Sequence, residues 1–155
     1  MIYSFLGWIV DIVGNFLSKK QIVNRGFFIG PYCPIYGFGA LFITFFLHLI
    51  PVQNYLFVFI SCILICSFLE YMTSYVLEKL FHARWWDYSN EMVNINGRIC
   101  LKTMIPFGLL GILIFYVTNP FFLYFLSQIS ENILTIICVI LVTVFLIDMI
   151  LSFQV

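Results

Sequence analysis

The sequence predicts an all-α polytopic transmembrane helix bundle of about five spans, N-terminus out and C-terminus in. Three observations predict it. Of the 155 residues, 63% are hydrophobic and 9% charged, against roughly 25% charged in soluble domains, and the mean hydropathy is +1.09. A soluble fold of this size would lack the polar residues to cover itself. Five apolar stretches approach the ~20 residues that cross a bilayer. All seven Lys and Arg residues fall in or beside two of the four connections, as the positive-inside rule demands of a cytoplasmic side.

The first stretch, Ile2–Leu17, is short because the chain starts inside it. The second, Ile35–Ile50, is ended by Pro51. The third, Tyr55–Leu80, is long enough to tilt. The fourth, Leu101–Val117, is ended by Asn119-Pro120, and the fifth is Ile133–Phe153. The segment Phe121–Ile129 is apolar but too short to cross; it lies at the interface or extends a neighbouring helix. Lys19, Lys20 and Arg25 mark the first connection, and Lys79, Arg84, Arg98 and Lys102 the third. The second and fourth have no basic residue. Residues 1–155 are therefore read as a single transmembrane domain, a multi-pass protein of the cell membrane.

Other features narrow the function. Net charge is +0, which removes any electrostatic case for nucleic acid. The five cysteines form no CxxC pair and no metal-ligand cluster, so neither metal nor cofactor is expected. The N-terminal run lacks a basic n-region and carries Asp11, unlike a cleavable signal peptide. No P-loop is present, so ATP hydrolysis would have to be supplied in trans. Asn24, Pro34 and Gly39 recur at the same offset as Asn96, Pro106 and Gly111; three matches leave a parallel internal repeat and chance recurrence both open.

An ionised side chain inside a span costs at least ~2.5–3.5 kcal/mol on insertion scales and marks a functional site by default. Asp11 shares one helical face with Ser4, Trp8 and Asn15, flanked by Gly7 and Gly14, which would admit a close helix. Glu70 shares a stripe with Ser67, Tyr71, Ser74 and Glu78, while Phe68, Leu69, Met72 and Val76 are free to face lipid. Glu78 is near enough to the end of the helix to reach water. Asp148, with Ser152 one turn on, is the weakest of the three intramembrane acids. All three fall in the cytoplasmic half; they line an inward-open cavity or simply tie helices together. Arg25 and Arg98 are the counter-charges at hand.

The two basic connections are unusual. Residues 23–37 contain Asn24, Arg25, Gly26, Gly30, Pro31, Pro34, Tyr36 and Gly37, apolar for a loop yet broken by Gly and Pro. Irregular backbone at membrane depth must be buried in protein or line a wet cavity. The third connection carries Trp85-Trp86-Asp87-Tyr88. Its aromatics suit an interfacial belt, which does not account for Asp87. Asn94, Asn96 and a Gly97-Arg98 turn offer donors to an anionic headgroup or substrate.

These residues resemble a known family. Tyr3-Ser4-Phe5-Leu6-Gly7-Trp8 with Asp11, then Asn24-Arg25-Gly26, Gly30-Pro31 and Cys33-Pro34-Ile35-Tyr36-Gly37-Phe38-Gly39, are similar to the CmpB-type ABC-transporter permease family. Glu70-Tyr71, Ser74, Glu78-Lys79-Leu80, Trp85-Trp86-Asp87-Tyr88 and residues 94–100 continue the match in order. The family has Glu where this chain has Asp11, which keeps the charge and shortens the reach. The resemblance implies a permease-like membrane subunit, partnered by the lipid bilayer and by an ATPase in trans or a second copy of the chain. Two alternatives stay open: an intramembrane enzyme acting on a lipid-linked or anionic amphipathic substrate, and a non-catalytic assembly or regulatory protein. The candidate substrate or cavity residues are Trp8, Asp11, Asn24, Arg25, Tyr36, Glu70, Ser74, Trp86, Asp87, Asn96 and Arg98.

Overall fold

The computed structural model describes residues 1–20, 27–49 and 54–153. Its helices are α1 (Ile2–Lys19), α2 (Pro34–Leu49), α3 (Tyr55–Phe81), α4 (Leu101–Leu113), a π turn (Ile114–Thr118), α5 (Asn119–Ser127) and α6 (Glu131–Ser152). Between α3 and α4 lie two short strands, β1 (Asn94–Ile95) and β2 (Ile99–Cys100), paired antiparallel with Ile95 opposite Ile99. Three helical runs are long and apolar enough to cross a membrane: Tyr55–Phe81, Leu101–Ser127 and Glu131–Ser152; Ile2–Leu17 and Pro34–Leu49 are shorter apolar helices.

Local chemistry explains most boundaries. Asn54 caps α3, its side-chain oxygen accepting the Leu56 N–H at 2.9 Å. His82 ends the same helix in a left-handed conformation, its N–H returned to the Glu78 carbonyl. Pro34 opens α2, where a missing N–H costs nothing.

The fourth stretch departs from expectation. Asn119-Pro120 does not end it; Leu101–Ser127 runs as one helix of 27 residues. Proline cannot donate to the carbonyl four residues before it. The π turn directly ahead of Pro120 widens the hydrogen-bond spacing and absorbs that loss. Phe121–Ile129 thus extends a span through Ser127. Pro106 also sits inside α4, whereas Pro34 begins a helix, so these two members of the sequence repeat serve different local structures.

The chain divides into two compact units, one of Met1–Gly37 with Pro120–Val155 and one of Phe38–Asn119. In the second, α4 lies along α3: a Cβ at Gly111 would overlap Cys62, and one at Gly108 would reach 2.5 Å from the Phe59 ring. Ile43, Leu47, Val58 and Cys62 form its buried core, with Ile112, Phe115 and Tyr116 packed on it. Asn119 donates to Thr44 Oγ1 at 2.7 Å. In the first unit, a Cβ at Gly7 would fall on the Tyr36 ring, so the start of α2 approaches α1 closely. A Cβ at Gly14, expected to do the same, would meet nothing within 4 Å among the described residues.

Candidate functional site

The second unit contains the densest polar network among the described residues. On α3, Ser67, Glu70 and Ser74 are 6%, 4% and 4% exposed, while Phe68, Met72 and Val76 are exposed. The stripe read from the sequence is therefore the packed face of the helix. Glu70 accepts the Tyr88 hydroxyl at 3.1 Å on Oε1 and the Thr103 hydroxyl at 3.4 Å on Oε2. Thr103 also donates to the Cys100 carbonyl at 3.0 Å. Its single hydroxyl proton is therefore shared between a carbonyl and a carboxylate. Ser67 Oγ is buried with no hydrogen-bond partner among the described residues.

One helical turn beyond, Arg98 organises a second cluster. Its Nη2 lies 2.5 Å from Glu78 Oε2, and Nη1 donates to Ser74 Oγ at 3.2 Å. The guanidinium stands 5.6 and 5.4 Å from the ring centres of Tyr71 and Tyr75, within cation–π range. The Arg98 carbonyl accepts the Trp86 indole N–H at 3.0 Å. Glu78 also takes Arg84 Nε at 3.1 Å, and Arg84 Nη1 is 3.7 Å from Asp87 Oδ1. Asp87 accepts both the hydroxyl and the N–H of Ser89; these bonds hold its carboxyl below the usual range. Asn96 donates to the Tyr71 hydroxyl at 2.9 Å.

The β-hairpin fixes this geometry. Its turn is closed by the Arg98 N–H on the Ile95 carbonyl at 3.0 Å, with Asn96 at φ 53° and Gly97 at φ 67°. Asn-Gly is the pair that favours positive φ at both central positions. Tyr88 N–H donates to the Gly97 carbonyl at 2.7 Å, which brings the Tyr88 hydroxyl onto Glu70. The sequence signals for Ser74, Trp86, Asp87, Asn96 and Arg98 thus lead into one network. It also draws in Tyr71, Glu78, Arg84, Tyr88 and Thr103. Tyr88 and Glu78 were read as interface residues, and nothing in the spacing of Thr103 marked it. The two arginines face Glu78 and Asp87, so this charge is largely spent within the protein; an incoming anion would have to displace Glu78 from Arg98.

The first unit has two smaller clusters. Asp11 accepts the Tyr36 hydroxyl at 2.6 Å and lies 3.7 Å from the Cys33 thiol. Burial and the neighbouring Asp11 push that thiol up to about 12, so it stays protonated and is a poor nucleophile. Trp8 stacks on Phe5 at 6.0 Å, and Asn15 turns back to the Asp11 carbonyl at 2.8 Å. Asp148, 8% exposed, receives the N–H groups of Ile29 and Gly30 at 3.2 and 3.0 Å and the hydroxyls of Ser152 and Tyr32. Burial, then Asp148, raises the Tyr32 phenol above its ordinary value. Asn24 and Arg25 lie outside the described residues.

The described residues hold no group of three or more His, Cys, Asp and Glu able to bind a metal. No curated protein matches the chain, and no solved structure matches it. Residues 1–153 match the family described as "Putative ABC-transporter type IV", and the chain, with its membrane-length helices, belongs to that family.

Proposed function

We propose that the chain is a membrane-embedded, permease-like subunit that works with a separate ATPase, and that Glu70 is the working group of its polar site. The carrying observation is the placement of Glu70: 4% exposed, in mid-course of a helix long enough to span. A carboxyl there is costly, and intramembrane carboxyls that persist mark pathways or proton relays by default. Among the described residues the hydroxyls of Tyr88 and Thr103 donate to Glu70, and a hydroxyl can turn to accept a hydrogen bond instead, so the carboxyl can be accommodated ionised or protonated. The match to an ABC-transporter family supports an ATPase supplied by a partner. Ser74 and Arg98, in the same unit and hydrogen-bonded to each other, complete the polar site in this reading.

Glu70→Gln tests it. The amide keeps shape and most hydrogen bonds, and interhelical hydrogen bonds in membranes average only about 0.6 kcal/mol. The variant should stay folded and monodisperse in detergent while failing to rescue a deletion strain. Full rescue at normal expression would leave Glu70 a structural tie alone. The alternative of an enzyme holding a phosphate between Arg25 and Arg98 draws less support, because Arg98 is already engaged by Glu78 and Ser74.

A further inference from the structure

The loop leading into β1 presents apolar side chains outward. Met92 is 86% exposed, Val93 68% and Ile95 54%, in a connection where Asp87, Asn94 and Asn96 hydrogen-bond within the protein. Val93 has φ 52°, a left-handed conformation that is a genuine outlier for a β-branched residue. The strain is held from several sides. The Val93 carbonyl accepts the Leu101 N–H at 3.1 Å. Asn94 donates to the Glu91 carbonyl at 2.9 Å and accepts the Gly97 N–H at 3.0 Å.

The bond to Leu101 decides what these side chains meet. Leu101 is the first residue of a membrane-length helix, and Leu101, Ile105 and Leu109 are all exposed along one side of α4. Met92 and Val93 are therefore tethered next to the start of that stripe. Beside them, Lys102 pairs with Glu91 at 2.9 Å, a long cation at the helix end of the kind that snorkels to headgroups. Trp85 and Trp86, half-buried in the same connection, suit the same depth.

We infer that Met92, Val93 and Ile95 form a wedge that inserts into the bilayer at the headgroup–acyl boundary beside α4. A preformed apolar tip, continuous with a lipid-facing helix and flanked by a charged pair, matches the chemistry of that layer. The occupant is lipid. A second copy of the chain or the ATPase partner is the contrary outcome.

Methyl NMR of the whole protein in phosphatidylcholine nanodiscs tests this. The chain has five methionines, and Met92→Leu identifies the Met92 methyl by its disappearance. Phosphatidylcholine bearing a nitroxide near the top of the acyl chain should remove most of that signal. A water-soluble gadolinium chelate should leave it largely intact. Met72, exposed on α3, serves as the lipid-facing reference within the same sample. Broadening by the chelate and not by the lipid nitroxide would overturn the proposal, since the tip would stand in water. Protection from both probes would overturn it equally, since protein would then cover the tip.

Discussion

A Cβ at Gly97 would fall on Ser89 Oγ and 2.6 Å from Asp87 Oδ1, in a backbone conformation at φ 67° that costs an ordinary residue about 1–2 kcal/mol. Both penalties act on the turn that aims Arg98 at Glu78 and Tyr88 at Glu70. Gly97→Ala should therefore lower the thermal midpoint in detergent and disturb the site together. Gly14→Ala, with open space around it, should do neither and gain slightly in helix propensity. Equal midpoints for the two variants would mean the turn relaxes around a methyl group. At this scale the sequence was partly legible. The Gly97-Arg98 turn and the Glu70–Ser74 stripe could be read from residue type and helical spacing. The Glu78–Arg98 pair could not, because its members are 20 positions apart in sequence and only the hairpin brings them together.

Among the elements, the irregular segment 27–33 depends on one residue of α6. Asp148 accepts two backbone N–H groups and two hydroxyls, and Cys33 N–H reaches the Ser4 carbonyl at 2.9 Å. The carboxylate thus supplies the partners that a strand or helix would otherwise give this backbone. Asp148→Ala would orphan those donors at about 1–3 kcal/mol for each one left buried. The expected result is exposure of Cys33, seen as faster reaction with a small thiol reagent than in wild type. An unchanged Cys33 rate would show that α6 is dispensable for the segment. Apolar runs, with Pro51 as the stop of the second, placed α1, α2, α3 and α6 to within two residues at their ends. The fourth run was cut short because Asn-Pro reads as a stop, and the π turn that carries the helix past it has no sequence signature of its own. Two-residue strands carry too little alternation to be read as strands at all.

For the whole molecule, the arrangement of charge makes the strongest claim. Three basic residues in the first connection and four in or beside the third predict, from sequence, five spans with N-terminus out and C-terminus in. The structure offers two exposed positions on which to test the crossing of Leu101–Ser127: Asn90, in the connection before it, and Ser127 at its far end. This run is one continuous helix of 27 residues, about 40 Å at 1.5 Å per residue, which is long enough for its two ends to reach opposite faces of the bilayer. In sealed cells an impermeant maleimide should label Ser127→Cys and spare Asn90→Cys until the membrane is opened, with the wild-type chain giving the background of the native cysteines. Labelling of Asn90→Cys alone from outside would invert the orientation. Labelling of both from one side would mean that this helix does not cross, however apolar it is.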